Sequence, residues 1–98
     1  MNEKIIPRAE CLHLTAWHRG VTSTQTGCEE CGLAENLRIC LTCGHVGCCE
    51  SLGAHDTQHF QKTGHPLIKP YREEDVRRSE IKIGREWLWC YACKAYLK

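Results

Sequence analysis

Short runs that alternate apolar with polar residues predict a small β-sheet in this chain. In such runs every second side chain faces the same way, so one face can be buried while the other meets solvent. Glycine, proline and charged clusters separate the runs, as expected for turns between short strands. The predicted strands are Leu37–Leu41, Val46–Cys49, Leu67–Tyr71, Trp87–Tyr91 and Ala95–Leu97.

One stretch has helical spacing instead. His55 and His59 lie four residues apart, which places them on one face of an α-helix. We expect this helix to span roughly Ser51 to Lys62, because Gly64 and Pro66 stop it. The whole pattern therefore predicts an α+β fold, in which a short antiparallel sheet packs against one main helix.

The 98 residues are enough for one domain. Residues 1–8 are polar and predict a flexible leader, so we place the domain at residues 9–98. The leader lacks the apolar segment of a secretion signal, and no apolar run is long enough to cross a membrane. We therefore expect a protein of the cytoplasm, where thiols stay reduced.

Cysteine and histidine at metal-ligand spacing run through the whole chain. A domain of this size buries only about 60–65% of its unfolded surface, so nine cysteines indicate a staple of disulfides or metal. An odd number of thiols, arriving as CxxC pairs among histidines, favours metal. Twelve candidate ligands make three sets of four, the number that a structural Zn²⁺ takes. The twelve are Cys11, His13, Cys28, Cys31, Cys40, Cys43, Cys48, His55, His59, His65, Cys90 and Cys93.

Spacing limits how these ligands share three ions without fixing it. Each CxxC pair forms a tight turn that presents two thiolates to one metal, so the three pairs should begin three sites. His55 and His59 could bind the same ion or two different ions. Eight thiolates and three divalent ions together subtract two charges, which changes the formal net charge from +1 to −1. A nearly neutral domain lacks the positive surface typical of nucleic-acid binders.

The order and spacing of the ligands resemble those of the ubiquitin-protease-type zinc finger, also called UBP or BUZ. The resemblance covers almost the whole chain. The GHVGCCES run is most similar to stand-alone prokaryotic members, whereas the intact pair Cys90-x2-Cys93 is similar to three-zinc eukaryotic members. The matching stretches are CLH at Cys11, GCEECG around Cys28, ICLTCGHVGC ending at Cys48, AHDTQHFQKTGHP from Ala54 and WCYACKAYL from Trp89.

The resemblance implies a crossed arrangement of ligands around three zinc ions, in loops that flank the sheet and helix. Site one would contain Cys11, His13, Cys90 and Cys93. Site two would contain Cys28, Cys31, Cys48 and His55, and site three Cys40, Cys43, His59 and His65. Because each structural zinc contributes about 10–16 kcal/mol in finger peptides, we expect the metal-free chain to be unfolded.

Three further cysteine and histidine residues fall outside these sets. Cys49 follows a ligand in an extended segment, so it should point away from the metal as a small buried side chain. His18 and His45 are expected to be surface or hydrogen-bonding residues.

Catalysis is disfavoured because every predicted metal site is closed. A catalytic zinc has three protein ligands and keeps one position for water, whereas each site here can be filled by four. The chain has no HExxH or deaminase-type motif. Nucleic-acid binding is the weaker alternative, since acidic residues interrupt the one basic cluster. That cluster consists of Arg72, Arg77, Arg78, Lys82 and Arg85.

The last two predicted strands offer a surface for a peptide. In Trp87–Tyr91, Cys90 faces a metal, so Trp89 and Tyr91 must share the opposite face. Tyr96 on the returning strand can join them. These rings could simply belong to the core. Alternatively, flat amphipathic rings of this kind suit an extended peptide.

The resemblance adds a specific ligand. UBP fingers that bind ubiquitin hold its free C-terminal Gly-Gly tail in a narrow aromatic pocket, and Trp89, Tyr91 and Tyr96 match pocket residues. Glu50 stands where binding members have an arginine for the tail carboxylate, and a glutamate there repels it. Arg38 replaces a second pocket aromatic and could restore a positive charge. We therefore predict a monomeric zinc module that binds a protein or peptide C-terminus, either ubiquitin-like or of another kind.

Overall fold

The computed structural model describes residues 4–17, 21–49, 53–76, 81, 83–84 and 86–98. Within them the chain forms a six-stranded sheet and one main helix, which confirms the predicted α+β class. The strands are β1 (Lys4–Ile6), β2 (Leu37–Cys40), β3 (Val46–Cys48), β4 (Leu67–Pro70), β5 (Leu88–Cys90) and β6 (Ala95–Leu97). The helices are α1 (Leu12–Thr15) and α2 (His55–Thr63), with 3₁₀ turns at Arg8–Glu10 and Glu73–Asp75. No helix in the described part of the chain is long and apolar enough to cross a lipid bilayer.

The sheet has the strand order β1-β6-β5-β4-β2-β3 and is mixed rather than purely antiparallel. All neighbours are antiparallel except β1 and β6, which run parallel. Strand β1 comes from the segment that the sequence predicts to be a flexible leader. Its apolar pair Ile5 and Ile6 completes the free edge of β6, and Lys98 donates its backbone N–H to the carbonyl of Ile6 at 2.9 Å. Residues 4–8 therefore extend the domain beyond the predicted boundary at residue 9.

Helix α2 begins at His55, later than the predicted start near Ser51. Ala54 has a left-handed backbone, with φ of 57°, and donates its N–H to the carbonyl of Cys49 at 3.0 Å. This turn brings His55 back beside Cys48, and a helix that began earlier could not contain it. The predicted stop is correct, since Gly64 ends the helix with φ of 79°.

One face of the sheet is an aliphatic core. Leu88 lies opposite Leu97, and Ile39 lies opposite Val46. Ile81 and the partly buried Trp17 pack over these side chains, and burial of each large aliphatic side chain contributes about 1.5–3 kcal/mol. We call this the aliphatic face; its members are Ile39, Val46, Leu67, Leu88 and Leu97, all at most 2% exposed.

The aliphatic face contains one charged side chain. Lys69 lies opposite Ile39, is 3% exposed and pairs with the Glu86 carboxylate at 2.5 Å. Burial works against ionisation of Glu86, but the hydrogen bond and positive charge of Lys69, together with backbone N–H donors, outweigh burial and hold the pKa of Glu86 below its ordinary value. Arg8 donates to the carbonyls of Gly84 and Glu86 at 2.9 and 2.8 Å. Gly84 and Glu86, which precede β5, are therefore held in place by contacts with both Lys69 and Arg8.

The opposite face of the sheet is shared between α2 and an open surface. Helix α2 packs on β3 and β2. Gly47 permits this, because a Cβ at that position would lie 2.8 Å from the backbone nitrogen of Asp56. Farther along the sheet, Trp89 lies opposite Ile68 and Tyr96, and Tyr96 lies opposite Ile5. Trp89 and Tyr96 are partly exposed and Ile5 is 60% exposed.

Candidate metal centres and aromatic face

The structure brings the predicted ligands together in three groups of four. Cluster one joins the two ends of the domain and contains Cys11, His13, Cys90 and Cys93. The sulfur atoms of Cys11 and Cys93 are 3.8 Å apart, and Nδ1 of His13 is 3.5 Å from the sulfurs of Cys90 and Cys93. Strand β5 supplies Cys90 at its end, and the tight turn into β6 supplies Cys93.

Cluster two is built where β3 turns back into α2. It contains Cys28, Cys31, Cys48 and His55. The sulfurs of Cys31 and Cys48 are 3.9 Å apart, and Nδ1 of His55 is 3.3 Å from Cys28 and 3.1 Å from Cys48.

Cluster three lies beside cluster two, one turn farther along the same helix. It contains Cys40, Cys43, His59 and His65. Nε2 of His59 is 3.3 Å from the sulfur of Cys43, and the rings of His59 and His65 meet edge to face at 5.4 Å. His55 and His59 therefore face two different clusters, an alternative that spacing alone leaves open.

The three clusters fit zinc. In each, the candidate ligand atoms all lie within 4.8 Å of one another. A Zn–S bond of about 2.3 Å places two tetrahedral sulfur ligands about 3.8 Å apart, which matches the sulfur separations in clusters one and two. All nine cysteines are free thiols. Nδ1 of His65 is buried and has no protein partner, as expected where a metal ion would supply one.

Burial makes some of these thiols hard to ionise when no metal is present. Desolvation raises the pKa of Cys40 to about 11 and that of Cys90 to about 12. Cys28 differs: burial opposes its ionisation, but backbone N–H groups around its sulfur outweigh burial and lower its pKa to about 7. A divalent cation would supply the positive charge that the buried thiolates of Cys40 and Cys90 lack.

Of the remaining cysteine and histidine residues, Cys49 is 7% exposed and lies outside the three clusters. His45 makes hydrogen bonds, as the sequence analysis expects, and it lies next to the metal ligand His59. Its Nε2 is 2.9 Å from both carboxylate oxygens of Glu30, and its ring stacks on His59 with centroids 4.1 Å apart. The sequence offers a weak signal for this contact, since Glu30 lies inside the first CxxC pair and His45 lies two residues after the second.

Four aromatic rings gather on the open face of the sheet. We call Trp87, Trp89, Tyr91 and Tyr96 the aromatic face; all four are partly exposed. Trp89 meets Tyr96 at 4.8 Å and Tyr91 at 6.1 Å between ring centroids, and Trp87 meets Tyr96 at 5.6 Å. All three contacts are edge-to-face, an arrangement that aromatic pairs favour. Trp87 is not among the predicted site residues, although its spacing of two from Trp89 places both on one strand face.

Arg38 lies beside the aromatic face. Its guanidinium carbon is 4.8 Å from the centroid of the Trp87 ring, a cation–π contact, and its Nη1 donates to the carbonyl of Leu37 at 3.1 Å. Arg38 is thus linked to the other predicted pocket residues through Trp87, which contacts Tyr96. Tyr96 in turn contacts Trp89, and Trp89 contacts Tyr91. Glu50 lies outside the described residues.

The helix supplies the second wall of this surface. Phe60 stacks on Tyr91 with centroids 4.8 Å apart, and Oγ1 of Thr57 is 3.0 Å from the Tyr91 hydroxyl. Asp56 is 5% exposed and hydrogen-bonds with Tyr91. Burial raises the pKa of Asp56, although hydrogen bonds from Tyr91 and from the N–H of Thr57 oppose the rise. None of these helix residues is predicted from the sequence, because only the fold places them beside β5.

Two further predictions fall wholly or mostly outside the described residues. His18 is one. Of the predicted basic cluster only Arg72 is described, and it is exposed.

Known proteins are similar to this chain in sequence and in fold. The chain is 53% identical to BRCA1-associated protein of Homo sapiens over 38 residues. This matched stretch covers 39% of this chain and 6% of that protein. It is 26% identical over 86 residues to ubiquitin carboxyl-terminal hydrolase 44 of Ailuropoda melanoleuca, covering 88% of this chain and 10% of the hydrolase. The chain therefore spans a tenth or less of the length of these relatives.

A solved structure and a family match complete the comparison. The solution NMR structure of a Rhodopseudomonas palustris protein is 41% identical, with a TM-score of 0.67, and covers 90% of this chain and 80% of that one. Residues 28–98 match the family described as "Zn-finger in ubiquitin-hydrolases and other protein". This match confirms the resemblance that the twelve ligands carry: the chain belongs to the UBP-type zinc-finger family.

Proposed function

We propose that this domain is a zinc-stabilised recognition module, without catalysis of its own, whose aromatic face binds an extended peptide of another protein. The observation that carries the proposal is the aromatic face itself. Four rings remain partly exposed on one side of strands whose other side is fully buried. Contiguous exposed aromatic surface of this kind marks interaction sites.

The metal ions have a structural part in this proposal. Clusters one, two and three each take one Zn²⁺, and each supplies four protein ligands. With all four positions filled, a zinc ion offers no site for a catalytic water. Zinc here supplies the positive charge and the cross-links that hold Cys90 and His55 in place. These two ligands in turn fix the positions of β5 and α2, which form the walls of the aromatic surface.

The geometry favours a narrow and extended ligand. Rings of β5 and β6 form one wall, while Phe60 and Thr57 on α2 hold Tyr91 at the other. Aromatic side chains contribute large contact areas at a low cost in conformational entropy. A segment with small side chains would lie deepest between such walls, because its backbone could approach the rings.

A free C-terminal tail, as in ubiquitin, is a second candidate ligand. Arg38 favours it, because its guanidinium lies over Trp87 where a terminal carboxylate could be bound. The name of the ubiquitin hydrolase relative also favours it. Glu50 provides a negative charge in the sequence at the position of the usual arginine, which weakens carboxylate binding.

Titration of the zinc-loaded protein separates these ligands, with tryptophan fluorescence as the readout. The probes are ubiquitin, ubiquitin without its last two glycines, and a displayed library of random peptides that have either free or blocked C-termini. Saturable binding of library peptides regardless of the terminus supports the extended-peptide proposal. Binding of intact ubiquitin alone supports the tail.

Trp89→Ala tests whether the aromatic face is the site. The matched control is Leu12→Ala, since Leu12 is 77% exposed and lies on α1. We expect Trp89→Ala to abolish saturable binding and Leu12→Ala to leave it unchanged. If no probe binds the folded, zinc-loaded protein, or if Trp89→Ala binds as well as the parent, the proposal is wrong.

A further inference from the structure

The binding turns of clusters two and three touch each other through residues that are not ligands. Glu29 and Glu30 lie between the two cysteines of the first turn, Cys28 and Cys31. The carboxylate of Glu29 accepts the N–H of Val46 at 2.7 Å, and the N–H of Glu29 donates to the carbonyl of Val46 at 3.0 Å. The turn of cluster two is therefore hydrogen-bonded to the segment that leaves cluster three.

Glu30 and His45 make direct contacts with metal ligands of both clusters. Glu30 contacts Nε2 of His45 with both carboxylate oxygens at 2.9 Å, and its Oε1 is 3.7 Å from the sulfur of Cys28. The ring of His45 stacks on His59 with only 2° between the planes. One short path thus runs from a cluster-two thiol, through Glu30 and His45, to a cluster-three ligand.

The contacts of His45 would stabilise a His59 ring that binds zinc. A metal withdraws electron density from the imidazole that binds it, while a carboxylate that accepts a histidine N–H enriches the ring of that histidine. Parallel stacking of the enriched His45 ring on His59 would therefore be most favourable when His59 binds metal. The stack also fixes the orientation of His59, whose Nε2 faces Cys43 at 3.3 Å. His45 is in this sense a positioning residue.

Cluster one is held by different contacts. Its ligands come from the segment that begins α1 and from the turn between β5 and β6. Neither Glu30 nor His45 takes part in the contacts that bring Cys11, His13 and Cys93 together.

We propose that Glu30 and His45 couple metal binding at clusters two and three, so that each cluster binds its ion more tightly when the other is filled. Cluster one loads independently. The coupling is reciprocal, since a linkage between two equilibria acts equally in both directions. The proposal concerns metal loading alone and does not depend on peptide binding.

Cobalt substitution tests the coupling spectroscopically. Cluster three has two sulfur and two nitrogen ligands, whereas clusters one and two have three sulfurs and one nitrogen. Their Co²⁺ absorption bands differ for this reason, so competition with a chelator reports the affinity of cluster three separately. Residues that orient a ligand from outside the coordination shell typically change metal affinity by about 10–100-fold. We expect His45→Ala to weaken cluster three by that factor. The absorption of the three-sulfur clusters should then titrate in two steps, and the step that belongs to cluster one should keep its parent affinity.

A second pair of variants measures the linkage itself. Cys31→Ser removes one exposed thiolate of cluster two. We expect it to weaken cluster three by about tenfold or more in the parent and by less than about threefold in His45→Ala. Glu30→Gln and His45→Phe are milder variants; His45→Phe keeps a flat ring for the stack, and both should give intermediate losses. Gln61→Ala, at an exposed position of α2, is the matched control.

Three results would overturn the proposal. The first is an unchanged cluster-three affinity in His45→Ala. The second is an equal loss at all three clusters, which would indicate general destabilisation. The third is the same effect of Cys31→Ser with and without His45. If His45→Ala does not fold, Glu30→Gln and His45→Phe decide by the same criteria.

Discussion

The two faces of strands β5 and β6 differ sharply in how far their side chains are buried. Leu88 and Leu97 are at most 1% exposed on one side, whereas Trp89 and Tyr96, adjacent in sequence, remain partly exposed on the other. The aliphatic side is covered by Ile81 and by the partly buried Trp17 and Ile83. Alternation along these six residues therefore buries every second side chain in the core and leaves Trp89 and Tyr96 available for the proposed binding.

Metal removal should abolish the difference between the faces altogether. A domain of this size has a stability of about 5–15 kcal/mol, and structural zinc supplies about 10–16 kcal/mol per site. We expect excess chelator to unfold the chain, with loss of the near-ultraviolet circular dichroism of its aromatic rings. A spectrum that survives chelation would show that the aliphatic face holds the sheet without metal.

Leu88→Ala should damage stability without damaging recognition. A buried leucine truncated to alanine costs about 2–5 kcal/mol, depending on how far the cavity collapses. Urea unfolding in saturating zinc measures this loss. At temperatures where the variant stays folded, its affinity for a bound peptide should equal that of the parent. A matching loss of affinity would mean that the two faces are not separable.

Trp89→Ala should do the reverse. A half-exposed aromatic at the centre of a binding surface contributes about 2 kcal/mol, or roughly 30-fold in affinity. We expect peptide binding to fall by at least this factor, while the unfolding free energy changes less than in Leu88→Ala. The comparison fails if Trp89→Ala unfolds more readily than Leu88→Ala and binds normally.

Arg38→Met should have the smallest effect and would sharpen the description of the aromatic face. It removes a cation–π contact with Trp87 that is worth about 0.5–1 kcal/mol. If Arg38 binds a terminal carboxylate, affinity should fall for peptides with a free C-terminus and stay constant for blocked ones. Equal affinities in both series would assign Arg38 to holding Trp87 in place.

Much of this architecture can be predicted from the sequence because its signals are local. Alternation locates β2 to β6, and the CxxC pairs locate the turns that bind metal. The crossed assignment of His55 and His59 needed the family resemblance, since spacing allows one shared ion or two separate ones. The clusters that the structure assembles match the assignment that the resemblance implies.

The rest depends on contacts between distant segments. Nothing near Ile5 indicates that it will pair with Tyr96, ninety-one residues later, so β1 is mistaken for a leader. The later start of α2 arises because His55 must return to Cys48 to complete a cluster. Phe60 and Asp56 contact Tyr91 of the aromatic face only because Gly47 lets the helix lie close to the sheet.

The parallel pairing of β1 with β6 has a mechanical consequence. Tension applied at residue 4 and at residue 98 would pull these strands in opposite directions along their length. Their hydrogen bonds, together with those between Arg8, Ile6 and Lys98, would then bear the load in shear and at the same time. Behind them, cluster one joins Cys11 to Cys90 and Cys93, so a second clamp would resist once the strands had slid apart.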